Sequence, residues 1–193
     1  MTVDYSSKKF SVETRQKLER AGFLIYQLTG VSIRELKDQR LGIDLLGLYD
    51  EKEYPFLTVP SLRSQVALKP KKWVIRKKDW SAVTQFSEEL TKELGVEDIN
   101  IDIGSAATYI ELILQHFDRT GQGQYLLRGK DRIDTTSYVG KFQYRLGSGF
   151  GYSDPVSKFA CLTAPSSNYI VCVDHHCRCH PVHTGFAPII MPK

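Results

Sequence analysis

The chain has 193 residues, of which 41% are hydrophobic and 25% charged, and its formal net charge is +4. This composition is typical of a globular protein and excludes global disorder, and so small a charge does not by itself indicate a nucleic-acid or membrane partner. No apolar run approaches the roughly 18 residues of a membrane span, and the polar N-terminus lacks the apolar core of a secretory signal. We therefore expect a soluble, cytoplasmic protein with no membrane partner, whose four cysteines are thiols or metal ligands rather than a disulfide framework.

The first forty residues predict a helix, a strand and a second helix. Ser11 is a suitable N-cap for a helix over 12–21. The apolar run "FLIYQL", residues 23–28, is short and rich in strand formers, which favours a buried strand. Ser32 and Glu35 then stand at the capping-box spacing, which predicts the start of the second helix.

Prolines divide the segment from 41 to 80. "IDLLGLY" is a strand candidate, and Pro55, Pro60 and Pro70 follow it at intervals. Because proline lacks the backbone N–H that a sheet needs, the strands of this segment should be short or lie at sheet edges.

Two longer helices follow, with a strand between them. Ser81 precedes an apolar stripe at spacings of three and four residues, which stops at Gly95. The alternating isoleucines of 99–103 predict the strand. Ser105 and Gly121 bound a helix that is apolar on more than one face, and we expect it to be the central buried helix.

The rest of the chain predicts β structure. "QYLLRG", "SYVGKFQYRLG", "PVSKFACLT" and "NYIVCVD" are strand candidates separated by Gly, Pro, Ser and Asn clusters. The sequence therefore predicts an α+β fold with a mixed or antiparallel sheet, about four helices and a β-rich C-terminal half over 121–193. We expect a single domain over 1–193 with a soft internal boundary near residue 120.

The segment "CVDHHCRCHPVHTG", residues 172–185, holds three of the four cysteines and four of the five histidines. The turn residues 164–168 before it indicate a hairpin centred between Ser166 and Ser167. That register would place Cys161 directly opposite Cys172, with Cβ atoms about 4.5–5.5 Å apart.

Two ligand sets for a zinc ion follow from this segment, because zinc prefers thiolate and imidazole ligands. One set is all thiolate: Cys161, Cys172, Cys177 and Cys179. The other is mixed: Cys177, Cys179, His180 and His183. The function that we expect first is zinc binding with a structural or regulatory role.

Other interpretations of the same segment stay open. The thiols could be reduced and the histidines solvated, with no ligand bound, or the cysteines could have a redox or disulfide role. A thiol- or metal-dependent enzyme is the main alternative function. It would need Cys177 or Cys179 activated by a neighbouring histidine that Asp174 orients.

The most basic segment is "KPKKWVIRKKDW", residues 69–80. Basic residues interleaved with tryptophan suit phosphate contacts and base stacking, so nucleic-acid binding is a third possible function. Lysines that protect an exposed edge strand explain the same pattern. The residues concerned are Lys71, Lys72, Trp73, Arg76, Lys77 and Lys78.

Two further features invite a functional interpretation. The loop "LGSGFGYSDP" contains Gly147, Gly149 and Gly151, but no helix follows it to bind a phosphate, which favours a hairpin loop. Glu111 lies within an apolar helix, where a carboxylate needs a partner. It is either a catalytic acid or base, or it pairs with an arginine such as Arg128 or Arg132.

Overall fold

The computed structural model describes residues 8–40, 42–45, 55–69, 80–121, 132–138, 159–163, 171–174, 184–186 and 188–193. Within these ranges the helices are α1 Val12–Arg20, α2 Ile33–Gln39, α3 Trp80–Leu94 and α4 Ala106–Thr120. The strands are β1 Leu24–Gln27, β2 Ile43–Asp44, β3 Gln65–Leu68, β4 Ile99–Ile103, β5 Arg132–Tyr138, β6 Phe159–Thr163, β7 Val171–Asp174, β8 Thr184–Phe186 and β9 Pro188–Pro192. A short 3₁₀ turn covers Pro55–Leu57.

Three of the described helices begin at the serines that the sequence indicates, whereas α3 begins at Trp80, so that Ser81 lies within its first turn. The Ser11 hydroxyl accepts the Thr14 N–H at 3.1 Å, and Ser32 forms a complete capping box with Glu35. The Ser105 hydroxyl likewise caps α4. These bonds satisfy N–H groups that the first turn of a helix leaves without partners, so the three predicted starts are confirmed.

Sheet A is a four-stranded antiparallel sheet in the order β1-β3-β9-β4. Its interior strand β9 was not predicted, although it pairs with β4 along its whole length, from Pro188 opposite Ile103 to Pro192 opposite Ile99. Strand β3 is short, as expected, but it lies inside the sheet rather than at an edge. It can do so because Pro60 and Pro70 lie on either side of β3 and not within it.

One face of sheet A packs against α1 and α3. The sheet presents a row of Ile25, Ala67, Ile190 and Ile101, which follow from the pairing of the four strands. The two helices and the segments beside them cover this row with a cluster that includes Leu18, Phe23, Phe86, Leu90 and Val96.

The other face of sheet A packs against α4. Tyr26, Val66, Leu68 and Ile189 lie on this face and share one apolar cluster with the helix. Ten residues of α4 are buried, and they follow one another from Ala106 to Leu114 with His116 beyond. The prediction that this helix is the central buried one is confirmed.

Sheet B lies on the opposite side of α4. Its order is β2-β7-β6-β5-β8, and it is mixed, since β2 and β8 run parallel to their neighbours while β5, β6 and β7 are antiparallel. Helix α4 contacts β5 and β6, and Ile43 of β2 is buried in the α4 cluster. The helix is therefore enclosed between the two sheets.

These elements confirm an α+β fold with four helices and an antiparallel sheet in the described ranges. Beyond residue 121, the described segments are the strands β5 to β9, and the candidates "QYLLRG" and most of "SYVGKFQYRLG" lie outside the described residues. None of the helices in the described part of the chain has the length and apolarity needed to cross a membrane.

Candidate metal site

The hairpin that carries two of the predicted ligands has a different register from the expected one. Cys161 lies opposite Asp174, and Cys172 lies opposite Thr163. The predicted direct pairing of Cys161 with Cys172 is therefore wrong by two residues. The reason is that the midpoint of the connection falls one residue later than its turn chemistry indicates, between Ser167 and Asn168.

A shift of two residues keeps both cysteines on one face of the sheet, because strand positions alternate between faces with a period of two. Cys161 and Cys172 become diagonal neighbours, a relation in which residues lie about 7–8 Å apart. That separation exceeds what a disulfide allows without backbone movement. The register thus weakens the disulfide interpretation and leaves a shared ion open.

The two faces of sheet B differ in chemistry. At the paired positions of β2, β5, β6 and β7, the residues on the face with Ile43, which packs on α4, are apolar. They are Ile43, Ile133, Leu162, Val171 and Val173. The cysteines alternate with these residues, so Cys161 and Cys172 take positions on the face turned away from α4.

On this outer face, each cysteine position has aspartate on a neighbouring strand. Asp44 of β2 pairs with Cys172. Asp134 of β5 and Asp174 of β7 pair with Cys161 from its two sides. By register, these five positions therefore lie on one face across four strands. Asp44 and Asp134 were not predicted, although "Ile-Asp" in each strand carries the alternation that indicates an outer position.

The other four predicted ligands, Cys177, Cys179, His180 and His183, lie outside the described residues. The segment that carries them joins Asp174, at the end of β7, to Thr184, at the start of β8. Strands β6 and β5 separate β7 from β8, so the two ends are about 14 Å apart across the sheet. Both ends of the Cys/His segment are thus fixed in the sheet that holds Cys161 and Cys172.

Sheet B is described at the level of strand pairing, and the side chains described elsewhere provide no alternative metal site. Among them, no group of three His, Cys, Asp or Glu residues could hold a metal ion.

Glu111 is the main buried charge of the described core, with 3% of its surface exposed. Its Oε1 accepts the Thr29 backbone N–H at 2.8 Å and the Thr29 hydroxyl at 2.7 Å. Its Oε2 accepts the Ser61 hydroxyl. Gln115, one turn later, also donates to Oε1 at 3.3 Å.

These bonds occupy both oxygens of Glu111 and join α4 to the loops after β1 and before β3. The partners described are hydroxyl and amide groups and not the predicted arginines; Arg128 lies outside the described residues, and Arg132 is described only through its strand pairing. A carboxylate held by this many donors suits a structural junction better than a catalytic acid or base.

The same helix covers the outer edge of β1. Gln115 donates to the Gln27 carbonyl at 2.7 Å, and Arg119 donates to the Ile25 carbonyl at 3.1 Å. Glu111 also accepts the N–H of Thr29, two residues beyond the end of β1. Successive turns of α4 therefore bond to alternate residues of β1 and of the segment that follows it. An open sheet edge would offer these groups to another chain, and here α4 satisfies them.

A buried tyrosine–histidine pair completes this contact. The Tyr26 hydroxyl lies 2.7 Å from His116 Nδ1, and the Arg119 guanidinium lies 4.5 Å from the centre of the Tyr26 ring. Burial raises the pKa of Tyr26 to about 12, against the opposing effect of Arg119. Burial lowers the pKa of His116, and the positive charge of Arg119 lowers it further. Both groups are therefore uncharged at neutral pH.

The remaining sequence-predicted features are mostly outside the described residues. This holds for Lys71 to Lys78 of the basic segment and for the glycine loop around Gly149. Of the two flanking residues that the structure describes, Lys69 follows β3, with its ammonium group 5.4 Å from the centre of the Phe23 ring, and Trp80 begins α3. Nucleic-acid binding stays a prediction.

Comparison of the chain with protein-family models, with curated proteins and with solved structures found no match.

Proposed function

We propose that the protein binds one zinc ion at the outer face of sheet B and that the ion has a structural or regulatory role. The ligands are drawn from Cys161, Cys172, Cys177, Cys179, His180 and His183. The observation that carries the proposal is the register of sheet B. It supports Cys161 and Cys172 as partners on one face, and it fixes both ends of the segment with the other four ligands in the same sheet.

The physical role follows from that topology. The segment 175–183 connects two strands that are not neighbours in sheet B. A bound ion would hold this segment in place without any strand pairing by the segment. Zinc bound by thiolates on the sheet and by thiolates or imidazoles of the connection would attach one to the other. Because the unfolded chain has no formed site, the free energy of zinc binding adds to the stability of the folded state.

The primary test is the zinc content of the full chain purified without a histidine tag. We expect about one zinc per chain, retained through dialysis, because structural zinc is held tightly. Less than about a tenth of an equivalent would contradict the proposal.

Substitution of the ligands separates a structural role from a catalytic one. At a free zinc concentration about 100 times the dissociation constant, bound zinc contributes about 2.7 kcal/mol, which corresponds to a melting temperature about 5–11 °C higher in a chain of this size. Cys161→Ser and Cys172→Ser should lose this difference. Thr163→Ala, at the position opposite Cys172, is the matched control and should keep it.

A further inference from the structure

We infer that the protein pairs with a second copy of itself through strand β4, so that the two copies of sheet A form one antiparallel sheet. The inference is independent of the proposed zinc site. It rests on the register of β4 with β9, which determines where the backbone groups of β4 point, and on the order of residues along β4.

The hydrogen bonds between β4 and β9 use every second residue of β4. In an antiparallel pair, hydrogen-bonded rows alternate with rows that are not hydrogen-bonded. The Lys193 N–H donates to the Asp98 carbonyl at 3.0 Å, one row beyond the ends of the two strands. By alternation, Asn100 and Asp102 bond to β9, and both prolines of β9 lie in rows that need no N–H.

The isoleucines of β4 point their backbone groups to the other side. The N–H and C=O groups of Ile99, Ile101 and Ile103 are directed away from β9, and none of the strands that the structure describes lies beyond β4 in sheet A. Natural sheets often protect such an edge with lysine or proline, but β4 contains neither, and Asp102 is its one charged residue. At the opposite edge of sheet A, α4 bonds to the carbonyls of β1. The two edges thus differ, and β4 is the one that offers its backbone to an added strand.

The sequence of β4, Ile-Asn-Ile-Asp-Ile, complements its own copy in antiparallel orientation. When the pairing is centred on Ile101, every residue of the strand has a partner, and Ile99 lies opposite Ile103 of the second copy. Each Asn100 then lies opposite Asp102 of the second copy. Directly opposed residues have Cβ atoms about 4.5–5.5 Å apart, and an amide can donate to a carboxylate at that spacing. The two-fold axis therefore generates two amide–carboxylate pairs.

Charge favours this register over the two adjacent ones. A centre at Asp102 would place two carboxylates directly opposite each other, and a centre at Asn100 would place Asp98 opposite Asp102. Like charges in directly opposed positions destabilise a strand pair, and both shifts also leave part of β4 unpaired. The centre at Ile101 uses the whole strand and keeps the carboxylates apart.

The pairing also continues the chemistry of each face of sheet A. Ile101 is partly buried at the margin of the cluster beneath α1 and α3, and the second copy places another isoleucine against it. Asn100 and Asp102 are exposed and alternate with the isoleucines, so the polar pairs form on the other face. One short strand from each copy buries less surface than a standard interface, and we therefore expect a weak dimer with two-fold symmetry.

The test is the oligomeric state of the full chain, measured by sedimentation velocity from micromolar to submillimolar concentration. We expect a reversible monomer–dimer equilibrium. Asn100→Asp places a carboxylate opposite each Asp102 and should raise the dissociation constant about fivefold or more, since the repulsion occurs twice. Gln39→Glu is the matched control: it makes the same change of charge at an exposed position of α2 and should leave the constant unchanged.

A double variant tests the register itself. Asn100→Asp combined with Asp102→Asn exchanges the amide and the carboxylate, keeps the net charge of the wild type and again places an amide opposite each carboxylate. It should restore the dissociation constant of the wild type. A double variant that dimerises as weakly as Asn100→Asp alone would overturn the pairing centred on Ile101, and so would a dimer that Asn100→Asp leaves unchanged.

Hydrogen exchange of the outward amides of Ile99, Ile101 and Ile103 provides a readout for single residues. Their exchange should slow as the protein concentration rises, because the second copy accepts their N–H groups. Protection that is equal at all concentrations would show that the same chain covers this edge, and it would overturn the inference. A chain that stays monomeric at submillimolar concentration would overturn it as well. Circular dichroism verifies that each variant is folded.

Discussion

Substitution of Glu111 tests the interpretation of the buried network on α4. In Glu111→Ala, the Thr29 N–H, the Thr29 hydroxyl and the Ser61 hydroxyl all lose their acceptor. A hydrogen bond to a charged group contributes about 1.5–3 kcal/mol, and a buried donor left without a partner costs about 1–3 kcal/mol. The three losses are not additive, because they share one carboxylate.

We therefore expect Glu111→Ala to lower the free energy of unfolding by about 4 kcal/mol, near the upper end for single substitutions. In a chain of this size, that change lowers the melting temperature by about 8–16 °C. Glu111→Gln keeps one acceptor oxygen for Thr29 and should lose about half as much.

The assay is urea unfolding followed by far-ultraviolet circular dichroism, in which the midpoint reports stability and the slope reports the surface exposed. Glu89→Ala is the control. Glu89 accepts a hydrogen bond from Gln85 on the exposed side of α3, and its loss should cost less than about 0.5 kcal/mol. A change below about 1 kcal/mol in Glu111→Ala would refute the assignment of Glu111 as a junction between α4 and the two loops.

Three further predictions concern single residues of the described fold. Tyr26→Phe removes the hydroxyl at His116 Nδ1 and should cost about 1–3 kcal/mol in urea unfolding; no change would mean that the pair adds nothing to stability. Gly121→Ala should cost about 1–2 kcal/mol, because Gly121 ends α4 at a φ of 69° that disfavours a Cβ atom. Nothing lies within 4 Å of that Cβ, so a much larger loss would contradict the conformational explanation. The hydrogen bond from Thr14 holds the pKa of Asp98 below 3.8, so its stabilisation is complete above that pH and is lost as the pH falls through the lower, folded-state value. Unfolding free energies measured between pH 5 and pH 2 should therefore fall less steeply in Thr14→Val, and an unchanged slope would contradict this.

The helices could be predicted because their signals are local. Ser11, Ser32 and Ser105 each bond to the first turn of their own helix, so the information lies within three residues of the boundary. The burial of α4 could also be predicted from the sequence, since its apolar residues occupy more than one face of the helix.

Sheet order and register could not be predicted, because they depend on residues distant in the chain. Strand β9 has only three apolar residues between two prolines, a pattern that does not distinguish a buried strand from a loop. Its place between β3 and β4 is set by the rows of Ala67, Ile190 and Ile101.

The candidate site shows the same limit. The cysteines identified the relevant hairpin, but turn residues alone left its register uncertain by two positions. Asp44 and Asp134 come from strands that pair with this hairpin at long range. No spacing along the sequence connects those aspartates with Cys172 and Cys161.

The position of β9 determines the order in which sheet A can be completed. The strands β1 and β3 can pair as soon as both exist, but β4 has no partner among the earlier described strands until residues 188–192 arrive. Until then, the edges of β3 and β4 that pair with β9 stay open to solvent and to other chains. The two apolar clusters also lack Ile189 and Ile190. Pairing at such sequence separation is slow to form, and exposed strand edges promote aggregation during folding. Newly made chains should thus depend on β9 for solubility as well as for stability.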